Sequence, residues 1–226
     1  MSTQATKKTA VKKMAGEQTD ERGEIITISP PKIEVAEFLL RGTAPLVQLR
    51  FSEKSIQTMK AKHLAGSTAN KSKAREKRDF DEEFRQAQHR STDGWLGVPC
   101  GAFRAAMISA CRLVGFKMTL AKLSVFIEPD GFDRVDSVPL VRVEGEPEPL
   151  LLHVRNATGV ADLRMRAKIF PWSCRLNVRY DLSQFTRQDI ANLVARIGLQ
   201  VGIGEGRHDS KASCGMGWGT FTISND

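Results

Sequence analysis

The chain has 226 residues, 41% of them hydrophobic, which suffices for one large or two small packed units. Its formal net charge of +8 favours nucleic acid, an anionic membrane surface or an acidic partner, without choosing among them. No run approaches the roughly 18 to 20 consecutive apolar residues of a spanning helix, which excludes a helical membrane-spanning protein.

The first 23 residues lack apolar periodicity and carry Lys7, Lys8, Lys12 and Lys13. This pattern predicts a disordered basic arm over residues 1–23, followed by a single folded domain over residues 24–226. The arm has no apolar h-region, so we expect no secretory signal and a cytoplasmic location.

Cysteine and histidine are widely scattered along the chain. The cysteines form no CxxC pair, so neither a disulfide framework nor a zinc knuckle is indicated. The histidines are equally dispersed: His63, His89, His153 and His208. We therefore expect no metal site and no cofactor.

The domain opens with strand-like segments, IITI, KIEVAEFLL and PLVQLRF, with GTAP as a turn between the last two. Residues 52–94 then form a polar, basic insertion. A solvated loop is one interpretation, and a binding projection is the other, because long insertions in compact domains often bind ligands. The candidate nucleic-acid contacts here are Lys71, Lys73, Arg75, Lys77 and Arg78.

The segment WLGVPCGAFRAAMISACRLVGF predicts a core helix, whose apolar stripe comprises Ala102, Phe103, Ala106, Met107, Ala110, Leu113 and Val114. Arg104 lies near its start and is a candidate phosphate contact. KLSVFIE and VPLVRVEG then predict strands, EGEPEP predicts a loop, and LLLHVR, LRMRAKIFPW and CRLNVRYDL predict further strands. The basic polar positions Arg164 and Arg166 are also candidate contacts.

A second helix is predicted from Thr186 to Ile197. Thr186 and Asp189 have the spacing of a capping box, and Gly198 suits the position after the last helical residue. GTFTI then predicts a closing strand.

Between this helix and GTFTI lies a glycine-dense stretch. Glycine lets a phosphate approach backbone amides and permits the positive φ angles that aim successive amides at one anion. A tight turn with strand-edge bulges is the alternative, since it uses glycine and needs no ligand. The candidate phosphate contacts are Gly202, Gly204, Gly206, Arg207, His208, Lys211, Gly215 and Gly217.

The element order predicts an α+β fold: a ferredoxin-like, RRM-like β-α-β-β-α-β core with a long basic insertion and extra β-hairpins. GVPCGAFRAAMISACR resembles the turn and first helix of the repeat-associated mysterious protein (RAMP) superfamily of CRISPR RNA-binding subunits. Gly97, Pro99, Phe103 and Arg104 match that turn, whereas Gly101 replaces its hydroxyl residue. GIGEGRHDSKASCGMGWGTF resembles the glycine-rich loop of the same family.

Within the superfamily the chain is most similar to backbone subunits that polymerise along a guide RNA, and a phage or plasmid relative is also compatible. The resemblance implies a non-catalytic protein that binds single-stranded RNA or DNA and forms a homo-oligomer along the strand. It also implies other subunits of an antiviral ribonucleoprotein as partners. No membrane partner is expected.

Two alternatives remain. The first is a metal-independent endoribonuclease in which one of the four histidines acts as general acid or base, His208 being the best placed. The second is a phage structural or single-stranded-DNA-binding protein. In the binding interpretation, Trp95, Trp172 or Trp218 stacks on bases, and burial in the core is the alternative for each.

Overall fold

The computed structural model describes residues 30–50, 53–65, 78–155, 159–210 and 215–224. This part of the chain contains five α-helices: α1 (Glu53–Ala65), α2 (Phe80–Gln86), α3 (Cys100–Cys111), α4 (Met118–Ser124) and α5 (Arg187–Arg196). Its strands are β1 (Ile33–Gly42), β2 (Leu46–Gln48), β3 (Gly97–Pro99), β4 (Val125–Ile127), β5 (Gly131–Phe132), β6 (Pro139–Glu144), β7 (Pro147–Arg155), β8 (Ala161–Ile169), β9 (Ser173–Asp181) and β10 (Phe221–Ser224). Among these described helices, none is long and apolar enough to cross a bilayer.

Some sequence predictions fall outside the described residues. They are the basic arm over residues 1–23, the strand IITI, and the cations Lys71, Lys73, Arg75, Lys77 and Lys211.

Two antiparallel sheets organise the fold. The larger has the strand order β10-β1-β9-β6-β3, with β4 also pairing with β9 and β5 with β6. The smaller has the order β2-β8-β7. One edge of β9 pairs with β4 near Tyr180 and with β6 near Cys174, so two partners share that edge. Helices and antiparallel sheets together make an α+β fold, as the sequence predicts.

The core lies between the larger sheet and helices α3 and α5. Alternate residues of β1 face it, namely Ala36, Phe38 and Leu40, and β9 contributes Cys174, Leu176, Val178 and Tyr180. The period of two along each strand is the pattern of a half-buried sheet, which explains why these two strands could be predicted from sequence.

Helix α3 is the predicted core helix, but it is shorter than the apolar stripe suggested. Leu113 and Val114 were expected on the buried face, and they are 55% and 50% exposed. The α-helix ends at Cys111 and the chain continues as a 3₁₀ turn over Arg112–Val114. A 3₁₀ turn is wound more tightly than an α-helix, so it carries these residues off the stripe.

Two predicted strand boundaries are wrong. KLSVFIE forms a strand only over Val125–Ile127, because its first residues belong to α4, where Ala121 and Ser124 are buried at helical spacing. EGEPEP was expected to be a loop, and β7 already begins at Pro147. Proline is tolerated there because β7 is an edge strand, with one neighbour in its sheet.

Helix α5 begins as predicted. The Thr186 hydroxyl accepts the Asp189 amide at 3.2 Å, and the Asp189 carboxylate accepts the Thr186 amide at 2.9 Å. Its predicted end is wrong, because Gly198 lies inside a π-helical turn over Ile197–Val201, and Gly202, with φ of +74°, follows it. Gly198 is needed for packing instead, since a Cβ there would lie 2.8 Å from the Phe221 ring.

The described part of the insertion contains two helices, α1 and α2. Helix α2 confirms the helix-prone acidic section, with the Asp79 side chain accepting the amides of Asp81 and Glu82. Helix α1 was not predicted. Its exposed large side chains, including Ile56, Met59 and Leu64, follow no clear apolar stripe, which removes the pattern that usually reveals a helix.

Candidate nucleic-acid groove

A groove of about 690 Å³ lies where several elements meet: the segment after α5, helix α3, and strands β2 and β8. We call this the groove, and we call residues 201–220 the glycine loop. Five of the candidate contacts line it: Arg164, Arg166, Gly204, Gly206 and Arg207. The fold therefore brings together candidate residues that lie in two separate parts of the sequence.

The two halves of the glycine loop are held together by backbone hydrogen bonds. The amide of Ile203 donates to Gly219 O at 3.0 Å, and that of Gly219 donates to Pro45 O at 2.8 Å. The amide of Gly202 donates to Ile197 O at 2.7 Å. These amides are used by the fold, as the tight-turn interpretation expects.

Gly204 has features that fit both interpretations of the loop, the tight turn and the phosphate contact. Its φ is +78°, and a Cβ there would lie 2.6 Å from Val47 O, so close packing on β2 requires glycine. The amides of Gly204, Gly206 and Arg207, however, donate to no described residue. These three amides are therefore the candidate donors to an anion in the loop.

The remaining described loop candidates are not groove-lining residues. His208 and Gly215 are exposed, and Gly217 packs near the His208 ring, to which a Cβ would come within 3.5 Å. Gly202 is buried beneath the loop. A phosphate contact by His208, Gly215 or Gly217 stays a prediction.

Two arginines offer charge to the groove. The Arg164 side chain is 43% exposed, and Nε lies 3.7 Å from Oδ2 of Asp162. Arg207 is partly exposed and donates from Nη1 to Gly204 O at 3.0 Å. Each guanidinium has five N–H donors, so both retain donors for a phosphate.

Arg166 is buried and held by Glu205, a residue that sequence reasoning missed. The Arg166 side chain is 5% exposed; Nη2 donates to Oε1 of Glu205 at 3.1 Å, and Nε donates to Oε2. Its Nη1 donates to Met165 O at 2.9 Å. This ion pair fixes the glycine loop to β8 and neutralises the Arg166 charge locally.

A second carboxylate ties the loop to α3. The Asp209 carboxylate accepts a hydrogen bond from Ser109 and others from Nη2 of Arg112, at 2.9 and 3.1 Å. The Ser109 hydrogen bond, followed by the Arg112 charge, lowers the pKa of Asp209, although partial burial opposes the shift. Asp209 is therefore ionised at neutral pH and already engaged.

The wall formed by α3 is small and apolar. Pro99, Ala102, Ala105 and Ala106 line it, leaving room beside the helix. The N-terminus of α3 lies at the same wall, and no side chain of the described residues caps it. A helix N-terminus carries partial positive charge and unpaired amides, so an anion is favoured there.

Two further candidate cations that the structure describes, Arg104 and Arg78, do not line the groove. Arg104 donates to Val125 O at 3.0 Å and to Lys122 O, with its guanidinium 5.3 Å from the Phe126 ring. Arg78 donates to both Glu83 oxygens, at 2.7 and 2.6 Å. These contacts anchor neighbouring elements, and phosphate contacts by the same residues stay predictions.

None of the three tryptophans lines the groove. Trp172 is 3% exposed and donates from Nε1 to Ala44 O at 2.8 Å, so base stacking by Trp172 is a wrong prediction. Trp95 packs against Gly97 and Gly131, while Trp218 covers Gly206. Trp95 and Trp218 are partly exposed, so base stacking by either stays a prediction.

The groove also contains a histidine held by a carboxylate. His89 is a lining residue, and its Nδ1 lies 3.0 Å from Oδ2 of Asp133. Asp133 in turn lies 3.5 Å from Nε of Arg50, and both side chains are almost fully buried. The two partners are 44 residues apart in sequence, which is why spacing gave no signal for the pair.

Comparison with known proteins does not assign the chain to a family. No protein-family model matches the chain, and no curated protein matches its sequence. Among solved structures, one match is a chain of the cryo-EM structure of the Type III-B Cmr-beta bound to cognate target RNA, with 11% identity and a TM-score of 0.46. The match covers 85% of this chain and 59% of that chain. Similarity at this level assigns no function.

Proposed function

We propose that this chain is a non-catalytic protein that binds single-stranded nucleic acid, such as a guide RNA, through the groove. The observation that carries the proposal is the convergence on one groove of three features: loop amides and a helix N-terminus that have no partner or cap among the described residues, and two partly exposed arginines. Amides and arginines are the donors that bind phosphate, and they read the backbone without sequence preference.

We infer further that the core is ferredoxin-like and of the RAMP type. The inference is supported by the antiparallel order β10-β1-β9-β4, in which β1 and β4 are linked through α3, and β9 and β10 through α5. That is the arrangement of a β-α-β-β-α-β motif in which each helix connects two strands separated by a third. The sequence resemblance at the first helix and the glycine loop points the same way.

The same resemblance leads us to propose assembly. Copies of the chain would follow one another along the strand, within a CRISPR-like ribonucleoprotein that includes other subunits. Such an oligomer depends on the strand, whereas a structural protein of a virion would keep its oligomers without nucleic acid.

Replacing Arg164 and Arg207 together with glutamine should weaken binding to a single strand by tenfold or more. Loss of two phosphate contacts should also reduce the slope of log affinity against log salt by about 1.4, since each contact contributes about 0.7 for single strands. Fluorescence anisotropy at several salt concentrations measures both quantities.

Arg142→Gln is the matched control, because Arg142 pairs with Glu144 at 2.9 Å on β6, is 55% exposed and lies outside the groove. It should leave the slope almost unchanged. Equal slopes for the double variant and the control would refute the groove as the binding site. Assembly is tested by the mass of the particles that form in the same titration. That mass should increase with strand length.

A further inference from the structure

Given a single strand in the groove, as the proposed function requires, we propose that His89 accepts a hydrogen bond from a ribose 2′-hydroxyl and so makes the groove select RNA over DNA. His89 lines the groove between β2 and β3, and its side chain is 14% exposed. What His89 can bind depends on which of its ring nitrogens carries a proton and on what surrounds the other nitrogen.

Asp133 determines the tautomer of His89. Its Oδ2 lies 3.0 Å from Nδ1 of His89, and its Oδ1 accepts the Val135 amide at 2.9 Å. Nε of Arg50 lies 3.5 Å from the same Oδ2. Because an ionised carboxylate only accepts hydrogen bonds, Nδ1 of His89 carries the proton, and Nε2 of the neutral ring is an acceptor.

The ring of His89 is neutral at physiological pH. Burial is the largest influence and lowers its pKa, and it outweighs the hydrogen bond and charge of Asp133, which raise it. Of the other charges that face the ring, Arg50 lowers the pKa and Asp136 raises it. Nε2 therefore stays an acceptor under the conditions in which a strand would bind.

The backbone beneath the ring is fixed as well. The His89 amide donates to Oε1 of Gln48 at 3.2 Å, and Nε2 of Gln48 donates to Gly97 O at 2.8 Å. Gln48 is 4% exposed, so this bridge between β2 and β3 is shielded from water. An acceptor held this firmly loses little entropy when it binds a ligand.

Nε2 of His89 is an uncharged acceptor in a groove that offers several donors, and the Ser210 hydroxyl there can donate or accept. Among the described residues Nε2 has no hydrogen-bond partner. Arg164, Arg207 and the loop amides can only donate. The two carboxylates of the groove already have partners, Glu205 in Arg166 and Asp209 in Ser109 and Arg112.

An acceptor in this position selects for a donor on the strand. A phosphodiester has no proton to donate, and the donors on bases differ from one base to the next. The 2′-hydroxyl is present on every ribonucleotide and absent from DNA, and it can donate. A strand read without regard to sequence therefore meets His89 through its ribose.

The test compares three strands of one poly-uridine sequence: RNA, the deoxyuridine strand, and 2′-O-methyl RNA. The 2′-O-methyl strand retains an oxygen but lacks the donor. The full chain should bind RNA about tenfold more tightly than either of the others, because only RNA makes the hydrogen bond to Nε2 of His89, and one such bond contributes up to about that factor. Anisotropy at neutral pH gives the three dissociation constants.

His89→Leu should weaken RNA binding to the level of DNA while leaving DNA binding unchanged, whereas His89→Gln, whose amide oxygen accepts, should keep part of the preference. His153→Leu is the control, because His153 is an exposed histidine of β7 outside the groove. Thermal melting of each variant shows whether it folds. If His89→Leu does not fold, the comparison of the three strands on the wild-type chain still decides whether the groove prefers RNA.

The outcomes separate this inference from the proposed function. Equal wild-type binding to RNA and DNA, or a preference that survives in a folded His89→Leu variant, would overturn the role of His89 and leave the groove intact. Failure to bind any strand would overturn the proposed function itself. RNA cut to 2′,3′-cyclic phosphate ends would show His89 removing the hydroxyl proton, and it would overturn the binding role.

Discussion

Glu205→Ala should lower the free energy of unfolding by about 3 kcal/mol, the low end of the range for breaking a buried ion pair. The reason is the Arg166 guanidinium, which is 5% exposed and would lose its only carboxylate partner among the described residues. The Glu205 side chain is itself 32% exposed, so Arg166→Met should destabilise less, since water can still reach the carboxylate. Urea denaturation of both variants measures the difference.

Arg142→Met is the control for this prediction. Its partner Glu144 is 64% exposed, and ion pairs at that exposure contribute less than about 1 kcal/mol. The double variant Glu205→Leu with Arg166→Leu should be more stable than Glu205→Ala, because no charge is left buried. A loss below 0.5 kcal/mol for Glu205→Ala, roughly the noise level for a surface substitution, would contradict the account of the loop anchor.

Gly219→Ala should destabilise the chain by more than about 3 kcal/mol. A Cβ there would overlap the Ile203 carbonyl oxygen and lie 2.8 Å from its carbonyl carbon, at a φ of +69°. Relief requires separating the two halves of the glycine loop, which are joined by the hydrogen bond from Ile203 N to Gly219 O. Thermal or urea denaturation measures the effect.

Gly115→Ala separates strain from overlap. Gly115 has the same φ of +69°, and a Cβ there would meet nothing within 4 Å. Gly115→Ala should therefore lower the free energy of unfolding by about 1 to 2 kcal/mol, the cost of the left-handed backbone conformation alone. Equal losses at the two positions would mean that backbone conformation alone, and not the close approach of Ile203, explains the glycine at 219.

The parts of the fold that sequence revealed are those with strong local signals. The alternation of β1 and β9 and the capping box of Thr186 and Asp189 each depend on residues a few positions apart. The boundaries that failed depend on tertiary packing. Gly198 has the residue type of a helix end, but the approach of Phe221 explains it, and no local pattern reports that contact.

Within the candidate site, the glycine loop, Arg164 and Arg207 could be predicted from the sequence. The loop could be found because glycines and cations are adjacent in sequence. Its supporting groups could not, since the Arg166–Glu205 and His89–Asp133 pairs join residues 39 and 44 positions apart. Charge pattern also failed to distinguish Arg166 from Arg164, although burial makes one an anchor and leaves the other accessible.

The central claim, that a single strand lies in the groove, is tested most directly by photo-crosslinking RNA that contains 4-thiouridine and locating the crosslinked peptides by mass spectrometry. The account predicts crosslinks to β2 near Gln48 and Leu49, to the α3 wall near Ala102, and to the loop between Gly204 and Arg207, all of which line the groove. Crosslinks confined to the other side of α5, near Phe185 and Leu199, would contradict it.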